Sequence, residues 1–173
     1  MSGNADIVKN QFTLADEQAT INLAHAFAFA CESSAALYKG LVVYLKGDLG
    51  AGKSFFSRAF IQTFLPGEKV KSPTYTIVES YKSSIVTIHH FDLYRLCDPE
   101  ELEYLAIRDL LMGPFVALVE WPQKGEPIFP KADVVIELQH PQGFESENRV
   151  VEITANSHLG SAVVEQMMVN MRE

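Results

Sequence analysis

A glycine-rich stretch with a single lysine shows the clearest chemical pattern in this sequence. Gly47, Gly52, Lys53 and Ser54 follow the Walker A spacing, with four residues between the two glycines. The apolar run 41–45 precedes this loop, and a segment with helical character follows it. In a strand–loop–helix unit, backbone N–H groups converge on one phosphate while the helix N-terminus adds partial positive charge. The pattern predicts a nucleotide phosphate site rather than a plain glycine turn, with Lys53 on the β- and γ-phosphates and Ser54 on Mg²⁺.

Two carboxylates lie where such a site needs an acid. Asp92 follows the run 85–91, and Glu120 follows the more continuously apolar run 115–119. Because the carboxyl ends of parallel strands meet at one edge of a sheet, both side chains are expected near the loop. Either carboxylate can hold the metal directly or activate water, and the residues themselves leave the two assignments open.

The remaining pattern predicts helices and strands mixed along the chain. Helices are expected over 15–32, 53–65, from 99 onward and over 159–171, and strands over 41–45, 74–81, 84–92, 115–119, 133–139 and 149–154. The strands 74–81 and 84–92 are expected to pair as a hairpin. We predict one domain over residues 1–173, an α/β sandwich of three layers with a mixed central sheet flanked by helices, and a flexible N-terminal segment over 1–12.

Composition excludes several classes of protein. The formal net charge of -8 argues against a broad surface for nucleic-acid phosphates. Cys31 and Cys97 lie far apart without CxxC spacing, so neither a metal site nor a disulfide framework is predicted. A cytoplasmic protein without a membrane span is expected, because no signal-peptide core or long apolar stretch occurs. The absence of an Asn-Lys-x-Asp tetrapeptide favours adenine over guanine.

Four ordered motifs resemble those of the TsaE (YjeE) family of bacterial P-loop ATPases. They are GDLGAGKS, KSPTYT, HFDLYRL followed by DPEELE, and VEWP, and the resemblance extends over about 13–153. Ser54 stands where the family usually has threonine, which keeps the hydroxyl. The resemblance implies a P-loop NTPase-like fold.

The resemblance also implies a function with ATP and Mg²⁺ as cofactors. The family acts with TsaD and TsaB in making threonylcarbamoyladenosine beside the anticodon of tRNA, so tRNA is reached only through the complex. Ser54 and Glu120 resemble the Mg²⁺-linked pair, Asp92 a second essential acid, and Glu17 a residue near the adenine. The implied catalytic residues are Lys53, Asp92 and Glu120, and the implied nucleotide contacts are Glu17, Gly50, Ala51, Gly52, Lys53, Ser54 and Phe55.

Two other functions remain open from the residues alone: a small-molecule kinase, and a nucleotide-sensing module without useful turnover. The loop 72–74 and Trp121 are candidates for a partner interface, although Trp121 can equally serve in packing. For Arg149, a solvated position at a strand end is favoured over an approach to the nucleotide. His89 and His90 alternate on a strand, so only one of them can face the site, and structural hydrogen bonds are expected for both.

Overall fold

The computed structural model describes residues 8–48, 50–140 and 148–172. Leu49 of the glycine loop, residues 1–7 of the N-terminal segment, residues 141–147 and Glu173 lie outside this description. The strands are β1 (Val8–Leu14), β2 (Leu41–Lys46), β3 (Val78–Lys82), β4 (Thr87–Asp92), β5 (Phe115–Glu120), β6 (Val134–Gln139) and β7 (Arg149–Ala155). The helices are α1 (Glu17–Ser33), α2 (Ala36–Lys39), α3 (Lys53–Phe64), α4 (Glu101–Tyr104), α5 (Ile107–Leu110) and α6 (His158–Arg172). Among them, none has the length and apolar character that crossing a membrane requires.

All seven strands belong to one mixed sheet, in the order β1-β7-β6-β2-β5-β4-β3. The inner strands β6, β2, β5 and β4 are parallel, whereas β7, β1 and β3 join by antiparallel pairing. The carboxyl ends of β2, β4 and β5 therefore lie along one edge. The glycine loop leaves β2 at this edge, which is where the sequence places Asp92 and Glu120.

Helices cover both faces of the sheet and give three layers. One apolar cluster joins the sheet to α1, α3 and α6, with Phe27, Phe56 and Phe60 fully buried at its centre. The second cluster lies on the opposite face, where Leu102 of α4 packs with Phe91 and with Phe129 from the segment before β6. The predicted three-layer α/β sandwich with a mixed central sheet is confirmed.

The N-terminal segment differs from expectation. Residues 1–12 were expected to be flexible, but residues 8–12 lie in β1, which pairs with β7 along its whole length. Leu14 at the end of this strand is buried in the core. The polar run 9–11 lacks the alternation that predicts a strand, so the sequence does not indicate β1. The strand is stabilised by backbone pairing rather than by alternating apolar side chains.

The hairpin is shorter than predicted. β3 begins at Val78, not at residue 74, because residues 73–77 form a turn closed by a hydrogen bond from Ile77 N to Pro73 O at 2.8 Å. Ile77 has a φ of 70°, which is unusual for a β-branched residue and ends the turn abruptly. The helix expected from residue 99 is likewise divided, into α4 and α5, by Ala106 with a φ of 51°.

Candidate functional site

The glycine loop needs glycine at each of its glycine positions. Gly47, Gly50 and Gly52 have φ values of 143°, 81° and 109°. A Cβ atom on Gly47 would also overlap the carbonyl oxygen of Leu138 on β6. The loop therefore takes a path that other residues resist, and it delivers the chain into the N-terminus of α3, where free N–H groups can bind an anion.

We expect Gly47→Ala to lower the free energy of unfolding by roughly 2–4 kcal/mol, because backbone strain and a clash act together. Gly50→Ala is the matched control, since nothing lies within 4 Å of its added Cβ. That variant should lose only about 1–2 kcal/mol, the cost of a left-handed backbone. Urea unfolding of both variants measures the difference, and equal losses would contradict the close approach to Leu138.

Lys53 connects the loop to the acids. Only 7% of this residue is exposed, and its Nζ donates a hydrogen bond to Gly47 O at 2.7 Å. The same Nζ lies 3.8 Å from Glu120 Oε1 and 5.1 Å from the ring centre of Trp121. A buried ammonium group needs such partners, and here they hold it at the mouth of the loop. Ser54, the next residue, is exposed at the N-terminus of α3.

The two predicted acids lie side by side at the sheet edge. Asp92 ends β4, Glu120 ends β5, and the two residues are partners in the parallel register. Burial raises the pKa of the Asp92 carboxyl above its ordinary value, and the nearby Glu120 raises it further, although a hydrogen bond from Tyr94 N opposes the shift. Glu120 Oε2 lies 3.0 Å from Nε2 of His90, a buried residue on β4. The structure thus brings both acids to the loop lysine.

The adjacent histidines face opposite sides of the sheet, as their alternation predicts. His89 Nδ1 is 2.7 Å from Ser80 Oγ on β3, whereas His90 contacts Glu120. His90 was expected only to make a structural hydrogen bond, so its contact with an acid of the site was missed. The parallel register of β4 and β5 is the signal that would have revealed it, because it aligns residues 88, 90 and 92 with 116, 118 and 120.

Arg149 lies at a strand end as predicted, but its side chain contacts the glycine loop. Its Nε donates to Ala51 O at 3.2 Å and its Nη2 to Gly50 O at 3.4 Å. The prediction of a solvated residue is wrong, because β7 runs antiparallel to β6 and its first residue therefore returns to the edge that carries the loop.

A small cleft adjoins the loop on the side of α1. It is lined by Asp16, Glu17, Thr20, Gly52, Phe55 and Arg149. Asp16 caps α1 by accepting a hydrogen bond from Ala19 N at 2.8 Å, which fixes Glu17 in the first helical turn. The cleft therefore brings Glu17 and Phe55, which are far apart in sequence, to the same side of the loop.

A second cavity, of about 380 Å³, lies on the other side of the loop. Its walls include Asp48, Lys53, Trp121, Gln123 and Glu137. Lys53 is thus reachable from a space that the cleft near α1 does not include. A polar molecule or a side chain of another protein can approach the lysine through this cavity.

The turn that follows the loop 72–74 contacts the strand end that carries Asp92. Ser72 Oγ is 2.6 Å from Thr74 Oγ1, and the carbonyl of Ile77 accepts a hydrogen bond from Asp92 N at 2.8 Å. Trp121 has a φ of 55° and packs 5.0 Å from the ring of Tyr94. Packing is therefore one role of Trp121, and its position beside Lys53 leaves it next to the cavity.

Comparison with known proteins agrees with this geometry. A family model described as "Threonylcarbamoyl adenosine biosynthesis protein TsaE" matches residues 14–150. A TsaE protein of Haemophilus influenzae is 43% identical over 126 residues, which cover 73% of this chain and 77% of the relative. The TsaE protein of Rickettsia bellii is 35% identical over 150 residues, covering 86% and 96%.

A solved structure shares the fold. The crystal structure of Bacillus subtilis YdiB superimposes with a TM-score of 0.74 at 22% sequence identity, covering 95% of this chain and 97% of that one. The likeness shows a shared fold, the mixed sheet between layers of helices described above. Because the family model spans more than half of the chain and these relatives are similar over most of it, the chain belongs to the TsaE family.

Proposed function

We propose that this protein binds and hydrolyses ATP with Mg²⁺, and that it is required for threonylcarbamoyladenosine modification of tRNA next to the anticodon. In this proposal it acts in the cytoplasm with TsaD and TsaB. The pathway is supported by the names of its relatives, which are tRNA threonylcarbamoyladenosine biosynthesis proteins. The observation that carries the ATPase proposal is Lys53, buried at the loop and 3.8 Å from Glu120.

The loop fits a triphosphate. Its glycines take positive φ values that other residues rarely adopt, and the N-terminus of the 12-residue helix α3 supplies N–H groups and a favourable dipole. We assign the phosphates to the N–H groups of residues 50–54 and to Lys53. The nucleoside is assigned to the cleft with Glu17 and Phe55, and adenine is favoured because the sequence has no Asn-Lys-x-Asp tetrapeptide.

The oxygen donors at the sheet edge fit Mg²⁺. Magnesium prefers oxygen ligands and is usually held by one or two protein groups together with phosphates and waters. Within the described residues, no group of three His, Cys, Asp or Glu side chains is placed to hold a metal ion. We assign the metal to Ser54 and Glu120. When bound, Mg²⁺ would neutralise charge that develops on the phosphates.

The side chains of the site have separate tasks in this proposal. Lys53 exchanges its contact with Gly47 O for phosphate oxygens and keeps its positive charge there. Asp92 takes the proton of the attacking water, because its raised pKa makes the carboxylate a better base than an exposed one. Glu120 is released from its contact with Lys53 when the lysine turns to the phosphates, and its carboxylate then serves the metal side of the site.

A small-molecule kinase remains the second candidate function. The cavity of about 380 Å³ beside Lys53 has room for an acceptor molecule. Transfer of phosphate from ATP to a metabolite by the isolated protein would support this function. Direct binding of tRNA is not proposed, because 22 acidic residues outnumber 14 basic ones.

The test of the proposed function is replacement in a bacterium whose own TsaE can be depleted. Expression of this chain should restore threonylcarbamoyladenosine in digested tRNA, measured by mass spectrometry of nucleosides. Lys53→Ala, which removes the only side-chain cation of the loop, should not restore it. Unmodified adenosine in cells that contain soluble parent protein would reject the proposal.

A further inference from the structure

We propose that His90 is a positioning residue that holds the Glu120 carboxylate toward the metal side of the site. This inference rests on the proposed ATPase function and concerns the same site. His90 is on β4, two residues before Asp92, and its side chain lies on the same face of the sheet as that of Glu120. Its Nε2 is 3.0 Å from Glu120 Oε2, and the two residues are 3% and 8% exposed.

The hydrogen bonds of the two ring nitrogens indicate the role of His90. His90 Nδ1 is buried and has no hydrogen-bond partner among the described residues. A carboxylate oxygen accepts, so Nε2 carries the proton and the ring is committed to Glu120. An apolar side chain of similar size would fill this position without leaving a buried nitrogen unpaired, which is unfavourable. An apolar residue would therefore suit this buried position better, and the hydrogen bond to Glu120 is what the histidine adds.

Only one of the two neighbours of Glu120 can remain when phosphates are bound. Lys53 lies 3.8 Å from Oε1, but a phosphate-binding lysine must direct its protons to the ligand. His90 is held on β4, which is paired on both sides with β3 and β5, and has no other hydrogen-bond partner among the described residues. It therefore fixes the rotamer of Glu120 throughout the cycle. Hydrogen-bonded neighbours of metal-binding carboxylates commonly contribute 10- to 100-fold to metal affinity or activity.

The chain offers matched variants for a test. In His90→Gln the amide nitrogen falls near the place of Nε2, whereas in His90→Asn it falls near the place of Nδ1. His89→Asn is the control for loss of a buried histidine, because His89 is 4% exposed and adjacent but bonds to Ser80 on the other face. Glu120→Gln, alone and combined with His90→Asn, completes a double-mutant cycle.

The measurement is the affinity of the full-length protein for ATP by calorimetry, in EDTA and over a series of Mg²⁺ concentrations. We expect His90→Asn to need about 10- to 100-fold more Mg²⁺ for the same gain in ATP affinity. Affinity in EDTA should be unchanged, His90→Gln should stay close to the parent, and His89→Asn should affect only thermal unfolding. In the Glu120→Gln background, His90→Asn should have no further effect on the Mg²⁺ series.

Three results would overturn the inference: a parental Mg²⁺ series for His90→Asn, equal losses in EDTA and in Mg²⁺, or full additivity in the Glu120→Gln background. The last result decides the matter even where His90→Asn lowers stability, because a purely structural defect adds to the loss from Glu120→Gln. A parent protein that binds no ATP under any condition would instead reject the proposed function and, with it, the role of Glu120. Binding by the parent with an indifferent His90 would reject the positioning role alone.

Discussion

Addition of TsaD and TsaB should raise the rate of ATP hydrolysis by about 10³- to 10⁵-fold over that of the isolated protein, the range typical of an arginine supplied by a partner. Four of the five arginines of this chain have other contacts. Arg58 and Arg95 lie over the rings of Phe55 and Tyr75, Arg108 pairs with Glu103, and Arg149 donates to loop carbonyls. The cavity beside Lys53 is large enough to admit one side chain of a partner.

Phosphate release is measured for the protein alone, with each partner, with both partners and after addition of tRNA. Lys53→Ala in the complete mixture controls for ATPase activity that belongs to the partners. Fast turnover by the isolated protein, unchanged by TsaD and TsaB, would contradict a partnered ATPase and would favour the kinase or an independent hydrolase. Tight ATP binding with no phosphate release in any mixture would instead indicate a nucleotide sensor.

Lys53→Ala should weaken ATP binding by roughly 2–3 kcal/mol, or about 30- to 150-fold, because a charge-assisted contact with phosphate is lost. The N–H groups of the loop remain, so binding is weakened rather than abolished. Calorimetry measures the affinity, and circular dichroism confirms that the variant is folded. Lys39→Ala is the control for a lost positive charge, since Lys39 lies before β2, at the sheet edge opposite the loop. Equal affinities of Lys53→Ala and the parent would disprove the assignment of this lysine.

The parts of the site that local patterns encode were predictable from the sequence. The loop, its lysine and the two acids each follow an apolar run that the sequence identifies as a strand. The structure places them at one sheet edge. Contacts between distant segments were not predictable. His90 and Glu120 are 30 residues apart, and Arg149 and Ala51 are 98 apart. Such pairs follow from strand order and register, which side-chain patterns within a segment do not specify.

Among the strands, β1 was missed for a related reason. Its run of three polar residues has no alternation, and its partner β7 is at the far end of the sequence. The turn before β3 was missed because Thr, Tyr and Ile there have high strand propensity. The hydrogen bond from Ile77 N to Pro73 O overrides that propensity.

The contacts of Lys53 also bear on how a reaction cycle ends. The ammonium group of Lys53 is shared between Gly47 O and Glu120, so a phosphate that binds there must compete with an anion of the protein itself. A single phosphate must displace Glu120 from Lys53 and forms few contacts in return. A polyphosphate also accepts hydrogen bonds from the N–H groups of the loop. In the proposed cycle, Glu120 would recapture the lysine as product phosphate departs. The ion pair would therefore disfavour occupation of the site by free inorganic phosphate.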